Sequence, residues 1–494
     1  MGKILIGWAE ESIIPKKKAS LAGQFFERIS QFVESDITAT AMAVEADGSQ
    51  MIMVSVDIVG INDYQLSAIR EKFASLTSEV DPRNLIVSAT HSHTSLILAG
   101  RKGVNNTKDV LSDYLPKNVK YEESAKVDDS VSTPEESLEL VATKVALAAK
   151  KAWDNRKESL YANEFGRAAV GMCRRATYLD GSAKMWGDTN TGDFVALEGG
   201  NDSGVELIFT FDTNKKLTGI VANIACPAQI LEQRSFISAD FWGRTKANLR
   251  AKFGNDIYLL ALCGAGGDQC PRDLVRWVNP ETPIDDPNVE RNNYFPKKAD
   301  PSMYDISGCN RVGKRVANEI ISVYEEITDI KSEAPFVHKV IDLDVPLRKV
   351  TQKDYNEAIR ELEYYSNKIK DKETFNFKDT AKMYIYAGTL ERYAQQQNQE
   401  VVPIEYHIIR LGDVAFATNP YELYLDYGNR IKARSKAQQT FIVQLCCGSH
   451  GYLPTEKAEI AGHYSAYVSG GDTGHEGGDL LTRETITQIN KLFE

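Results

Sequence analysis

Residues 84–95 read Asn-Leu-Ile-Val-Ser-Ala-Thr-His-Ser-His-Thr-Ser, and the stretch passes from apolar to polar without a break. Its first half reads as a buried strand. Its second half delivers His91 and His93, two of the chain's seven histidines, one residue apart. Side chains alternate along a strand, so residues i and i+2 share a face. The two imidazoles would then point the same way at a strand's carboxyl end, where ligand sites collect in open α/β sheets. A His-x-His pair is also a recurrent zinc spacing. A hydrogen-bonded polar strand end explains the same residues, so metal site, acid/base pair and plain strand end all stay open at this point.

Further apolar runs of the same kind recur along the chain: ILIGWA, TATAMAVEA, MIMVSVDIVGI, VELIFTF, GIVANIAC, IYLLALCG, VIDLDVPL, YHIIRLGDVAFAT and TFIVQLCC. Several are continuously apolar, which implies strands covered on both faces. Helical patterns lie between them, at 137–153 and 309–326 and in the closing TRETITQINKLF. The mixture predicts an α/β fold of layered mixed β-sheets with flanking helices, in one catalytic domain over 1–494. Two segments differ in texture. Residues 103–135 are polar and acid-rich and read as a mobile surface insertion. Residues 351–399 read as a helical hairpin insertion, capped by Thr351 and carrying Tyr355, Ala358, Ile359, Leu362 and Ile369 on one face. The hairpin would serve as a lid or as a contact in a homo-oligomer.

Composition bounds the partners. Against 58 lysines and arginines stand 69 acidic residues, a net charge of −11. That speaks against nucleic acid or an anionic membrane and leaves a small-molecule substrate. No apolar run approaches the roughly 20 residues of a membrane helix. The amino-terminal apolar stretch is too short for a secretion signal, so the sequence predicts a soluble cytoplasmic protein. Seven cysteines without CxxC spacing fit reduced thiols rather than a disulfide framework.

Four other strand exits carry polar groups. In GAGGDQCPR (264–272), Asp268 and Cys270 follow a glycine turn. The turn needs no further explanation, and nucleophilic use of Cys270 would require a depressed pKa. In ANIACPAQILEQRSFISADFWG (222–243), Asp240 stands before a predicted helix, either as its cap or as a carboxylate that orients a ligating histidine. In NPYELYLDYG (419–428), Glu422 is expected one turn into a helix. CCGSHGYLPT (446–455) brings His450 and Tyr452. Five strand-end loops converging is the usual way such folds build a site.

Taken in order, IGWAEESIIP, LAGQFFERIS, VSVDIVGI, ATHSHTS, CRRATYLDG, ISADFWG, GGDQCPR, NPYELYLDYG and GYLPTEKAEIAGHYSA resemble the catalytic domain of the neutral/alkaline non-lysosomal ceramidases over most of the chain. The resemblance implies a ceramidase-like scaffold without the carboxyl-terminal β-sandwich of the secreted enzymes. It also implies a zinc ion and hydrolysis of an amide C–N bond. His91, Glu422 and Tyr452 match the family's metal ligands, His93 its residue beside the scissile group, and Arg174 its substrate contact. The sequence departs from the family where ACPAQ stands in place of a second zinc histidine. Pro227 cannot ligate through a side chain, and Cys226 or Gln229 stands beside it. Cys270 replaces the family's serine and would line the cleft with Asp268. Asp57 and Asp240 are expected to support the ligands from behind. With no secretion signal, the substrate implied is a polar intracellular amide. A carbohydrate-type lactone or ester hydrolase is the first rival, and a metal-free binding protein, motivated by Pro227, is the second.

Overall fold

The computed structural model describes residues 3–100, 107–123, 125–276 and 305–494. Twelve of its strands build two sheets. The first holds eight: β1 (Leu5–Ser12), β2 (Thr38–Ala46), β3 (Ser49–Val56), β4 (Leu85–Ala89), β5 (Lys157–Arg167), β6 (Gly204–Asp212), β7 (Leu217–Ile224) and β8 (Tyr258–Cys263). Their spatial order is β8-β7-β6-β5-β1-β2-β3-β4. The end pairs β7–β8 and β3–β4 are parallel and the pairs between them antiparallel. The sheet folds back on itself. The Trp8 ring of β1 lies against Gly219 of β7 and stacks on Tyr258, and Ser55 of β3 donates to the Ala261 carbonyl of β8 at 2.5 Å. The second sheet is β9 (Phe336–Pro346), β10 (Val401–Leu411), β11 (Val414–Thr418) and β12 (Gln439–Val443), in that order, with only β11–β12 parallel.

The sheets meet through Asn223 of β7, whose side-chain amide donates to the Leu262 and Ile442 carbonyls. Helices cover the outer faces: α1 (Asp63–Leu76), α2 (Thr107–Tyr114), α3 (Pro134–Asp154), α4 (Asp240–Phe253), α5 (Asp305–Glu325), α6 (Gln352–Ile369), α7 (Phe377–Gln395), α8 (Leu425–Arg434), α9 (Glu456–Ala461) and α10 (His475–Leu492). In α3, Val141, Val145, Ala148, Ala149 and Ala152 repeat at helical spacing. All are buried, and the helix packs on β1 and β2.

The hairpin forms as α6 and α7, and Thr351 caps α6 in a reciprocal box with Asp354. The preceding polar segment is not a free excursion. Leu111 and Val119 pack with Leu362, Phe375, Met383 and Ala387, and Lys120–Tyr121 pairs in parallel with Thr374–Phe375. Residues 103–106 and 124 of that segment lie outside the described residues. No helix among the described residues is long and apolar enough to cross a membrane. All seven cysteines are buried, and none forms a disulfide.

Candidate active site

Strand β4 stops at Ala89, so strand alternation does not aim the two histidines. Instead His91 takes a left-handed backbone, φ 61°, which is strained for a residue with a Cβ. The imidazoles nevertheless meet edge to face, their centroids 4.7 Å apart. The loop is held by backbone bonds to the 226–229 loop: Ala228 donates to the Thr90 carbonyl, and His93 donates to the Ala228 carbonyl. Arg28 fastens the same place. Its guanidinium donates to the carbonyls of His93, Ala22, Glu232 and Arg234.

Each imidazole has a defined environment. His91 Nδ1 lies 2.6 Å from the Val59 carbonyl, which can only accept. In the neutral ring Nδ1 therefore carries the proton, and Nε2 presents a lone pair. That lone pair faces the Glu422 carboxylate at 3.5 Å. His93 is partly buried, and its two ring nitrogens are shielded from solvent without a well-aligned hydrogen bond, with the Gly23 backbone beside the ring. Glu232 Oε2 lies 3.6 Å from its Nδ1. Burial lowers the His93 pKa well below its usual value, and His91, Arg28 and Arg174 push it the same way, so the ring is neutral at pH 7.

Glu422 does not sit in a helix as its sequence context suggests. It opens a two-residue strand, Glu422–Leu423, parallel to Tyr452–Leu453 and in register with Tyr452. The helix α8 begins only at Leu425, because Asp268 Oδ1 accepts the Leu425 N–H at 2.9 Å and starts it there. Gly267 comes so close to this strand that a Cβ there would lie 2.3 Å from the Glu422 carbonyl oxygen, which explains the glycine of GAGGDQCPR. Arg174 is buried and donates to the Gly267 carbonyl at 2.8 Å and to the Tyr452 hydroxyl at 3.3 Å. Burial opposes its charge, but Tyr452 and Glu422 more than offset that and raise its pKa. Burial, and then Glu422, holds Tyr452 as the neutral phenol.

The structure thus brings together His91, His93, Arg174, Glu422 and Tyr452. The other sequence candidates do different things. Asp57 accepts from Thr38 and Thr90. Asp240 accepts the backbone N–H groups of Leu231 and Phe241, and burial lifts its pKa to about 6. Neither contacts His91, whose orientation comes from the Val59 carbonyl. Burial raises Asp268, which serves the start of α8. Burial pushes the Cys270 thiol up to about 12, and its Sγ points to the Arg272 carbonyl, so it is no thiolate. Pro227 packs on Gly266 and leaves no imidazole in the 226–229 loop, but Gln229 Oε1 there is buried without a partner.

Sequence reasoning passed over Glu232 and Arg272. The Arg272 guanidinium sits 3.9 Å from Glu232 and 4.2 Å above the Trp186 ring. Glu232 lies in LEQRSF, a stretch with no strand or helix period to mark it. An aromatic series also leaves the site. Tyr464 lies edge-on to Tyr452 at 5.7 Å and to Phe25 at 5.9 Å, and Phe25 is exposed.

No family model and no curated protein matches this sequence. Solved structures do. The neutral ceramidase from Pseudomonas aeruginosa is similar over the whole of this chain and 75% of its own, with a TM-score of 0.66 and 12% identity. A ceramidase complexed with C2 is similar over the whole of this chain and 76% of its own, with a TM-score of 0.65 and 11% identity. The chain has the fold of the neutral ceramidases.

Proposed function

We propose that this chain is a metal-dependent hydrolase that cleaves an amide C–N bond, with zinc as its metal. The observation that carries the reading is the facing pair of His91 Nε2 and Glu422. Two acceptors 3.5 Å apart, with the histidine proton committed to Val59, are left for a cation. Tyr452, in register with Glu422 on the neighbouring strand, and the unpartnered Gln229 Oε1 suit the same ion, so the donors present fit zinc. His91, Glu422 and Tyr452 would hold it, with Gln229 where the related fold has a second imidazole. When bound, the ion polarises a carbonyl and lowers the pKa of a water toward about 7.

The protein's own groups divide the remaining work. His93 is neutral and unpaired at both nitrogens, so it takes a proton at one and gives it to the departing amine. Glu232, 3.6 Å from Nδ1, stabilises the imidazolium that forms in between. Arg174 keeps its charge and directs hydrogen bonds toward the substrate oxygen from beside Tyr452. Cys270 is a packing residue rather than a nucleophile.

The aromatic series Tyr452–Tyr464–Phe25 favours an N-acyl amide over a sugar lactone, because an apolar acyl chain can lie along it from the site to the surface. A screen of zinc-loaded protein should therefore find turnover of N-acyl amides and little of sugar lactones. Glu422→Ala should lose at least about 100-fold in kcat/KM and part of its bound zinc. Full activity in Glu422→Ala, or zinc-free protein that is fully active, would sink this reading. Turnover of lactones alone would keep the metal and replace the substrate class.

A further inference from the structure

A second cluster of ligating groups lies away from these residues. One ligand atom each from Glu405, His407 and Cys447 falls within 4.8 Å of the others, the one such cluster of histidine, cysteine and carboxylate groups among the described residues. Glu405 and His407 sit two apart on β10 and so share a face, and Cys447 comes from the loop after β12.

The protons around His407 can be placed from its neighbours. His338 Nδ1 lies 2.9 Å from the Gln50 carbonyl, which only accepts, so Nδ1 carries the hydrogen and Nε2 is an acceptor. His407 Nδ1, 3.0 Å from that Nε2, must donate to it. This leaves His407 Nε2 as the nitrogen turned toward Glu405 Oε1, 3.1 Å away. A metal-ligating histidine characteristically donates its other N–H to an acceptor that fixes the ring. Here a second imidazole and a backbone carbonyl provide that support. Cys447 Sγ accepts from the Val87 N–H at 3.5 Å and from Arg70 at 3.9 Å, so its sulfur already sits among donors.

We propose that Glu405, His407 and Cys447 form a second metal site, separate from the His91 site, that takes a divalent thiophilic ion of the zinc class. Binding sends the His407 Nε2 proton to solvent, and Cys447, already among donors, ligates as its thiolate. A carboxylate, a thiolate and a neutral imidazole then face a doubly positive ion, and the charges of ion and ligands cancel. Arg70 bears on the choice of ion. Its NH2 lies 2.6 Å from Glu405 Oε1 and its NH1 3.2 Å from Oε2, while Arg83 holds Oε2 at 3.0 Å. With the metal present, Oε1 turns to the ion and Oε2 keeps both guanidinium groups. A fixed cation at this position disfavours hard ions bound by charge alone, such as magnesium or calcium, and leaves sulfur and nitrogen bonding to carry the affinity.

The site is closed. His407 and Cys447 are buried, and entry lies along the partly exposed Glu405 and Arg83. An ion buried here would act by holding chain segments together. It clamps β10 to the 445–448 loop. That loop in turn holds β4 through the bonds Ala89 N–H to Leu445 O and Cys447 N–H to Val87 O. Leu445 and Cys447 both carry left-handed backbone, φ 52° and 54°, strain that a clamp of this kind keeps in place.

The test is a cobalt(II) titration of chelator-treated full-length protein. A thiolate-to-cobalt charge-transfer band in the near ultraviolet should appear and saturate by the time two cobalt ions per chain have been added. It should be lost in Cys447→Ser and His407→Gln and unchanged in His91→Ala. The His91 site holds no thiolate, so loss of the hydrolase reading would leave this band untouched. Absence of the band in the wild-type protein, or its persistence in Cys447→Ser, overturns the proposal. Should the variants fail to fold, zinc X-ray absorption of the fully loaded wild-type protein decides. A sulfur neighbour supports the site, and nitrogen and oxygen neighbours alone refute it.

Discussion

The His91 loop and the Cys447 loop are joined by backbone bonds between β4 and residues 445–447, yet they treat polar atoms in opposite ways. Around His91 the groups are left incomplete. His93 has two buried nitrogens without a bond, Gln229 Oε1 has none, and His91 Nε2 faces another acceptor. Around His407 both ring nitrogens are used and Glu405 is held by two arginines, with Arg70 Nε the one atom there left without a partner among the described residues. Leaving a buried polar group unpaired costs about 1–3 kcal/mol. A fold bears that cost where a ligand comes and goes, and avoids it where a cluster only holds chains together. The first region keeps bonds unmade, and the second uses nearly all of its polar atoms to hold segments together.

The sharpest way to break this contrast is His93→Ala. The loss of the proton shuttle should lower kcat by about 100- to 10,000-fold while zinc content and melting temperature stay near those of the wild type. A variant with unchanged kcat would show that the unpaired imidazole is a packing residue. On the other side, Glu405→Ala removes the anion from between Arg70, Arg83 and His407. Breaking this partly buried ion pair from one side should cost less than the about 3–5 kcal/mol of a fully buried one, and this should appear as a lower denaturant midpoint with kcat/KM per folded molecule preserved. If Glu405→Ala instead abolished activity in folded protein, the division of labour between the two regions would be wrong.

Acid sensitivity sharpens the comparison by removing a background common to both. Burial works to raise the pKa of Glu10, but Lys246 and Arg250 pull it down from 4.5 to about 2. A carboxylate with a depressed folded pKa stabilises the fold fully above its unfolded value, and that stability is lost as pH falls toward the folded one. The window is pH 4.5 down to about 2, and the stability lost across it is about 3 kcal/mol. Glu10→Gln should flatten the pH dependence of stability in that window and leave pH–rate profiles above it untouched. A slope that survives the substitution would assign acid unfolding to other groups.

Much of the layered core was readable from apolar runs, because strands covered on both faces leave little room for polar residues. The helices at 137–153 and 309–326 were readable from their period. β5 was not, although it stands near the centre of the first sheet. Its sequence, KESLYANEFGR, is largely polar and carries neither a continuous apolar run nor a period of two, and only Ser159, Leu160, Tyr161, Ala162 and Gly166 turn inward or are covered. In the site, His91, His93, Glu422, Tyr452 and Arg174 were legible because each stands at the end of an apolar strand or matches a motif. Glu232 and Arg272 were not, because side chains that meet from loops leave no periodic trace. The Val59 carbonyl could not be foreseen at all, since backbone atoms are the same at every position. Glu422 was placed in a helix because its spacing to Leu425 fits one, and the Asp268 bond that delays α8 is a long-range contact. The second cluster shows the same limit: Glu405 and His407 lie two apart in plain view, but Cys447 joins them only through the pairing of sheets.

Gly23 offers the finest test, because it touches the open site without belonging to it. Its backbone is left-handed, φ 94°, and a Cβ there would lie 2.6 Å from Cγ and Nδ1 of His93. Gly23→Ala therefore carries a backbone strain of about 1–3 kcal/mol and must also move the imidazole. If His93 works by position, kcat should fall by less than in His93→Ala while KM changes little, and the cobalt–thiolate band at Cys447 should be unaffected. Crystals of the variant would show which way the ring yields, toward Glu232 or away from it. A stability loss with unchanged kcat would mean that His93 tolerates displacement. The open region would then owe its unpaired nitrogens to loose packing rather than to a substrate.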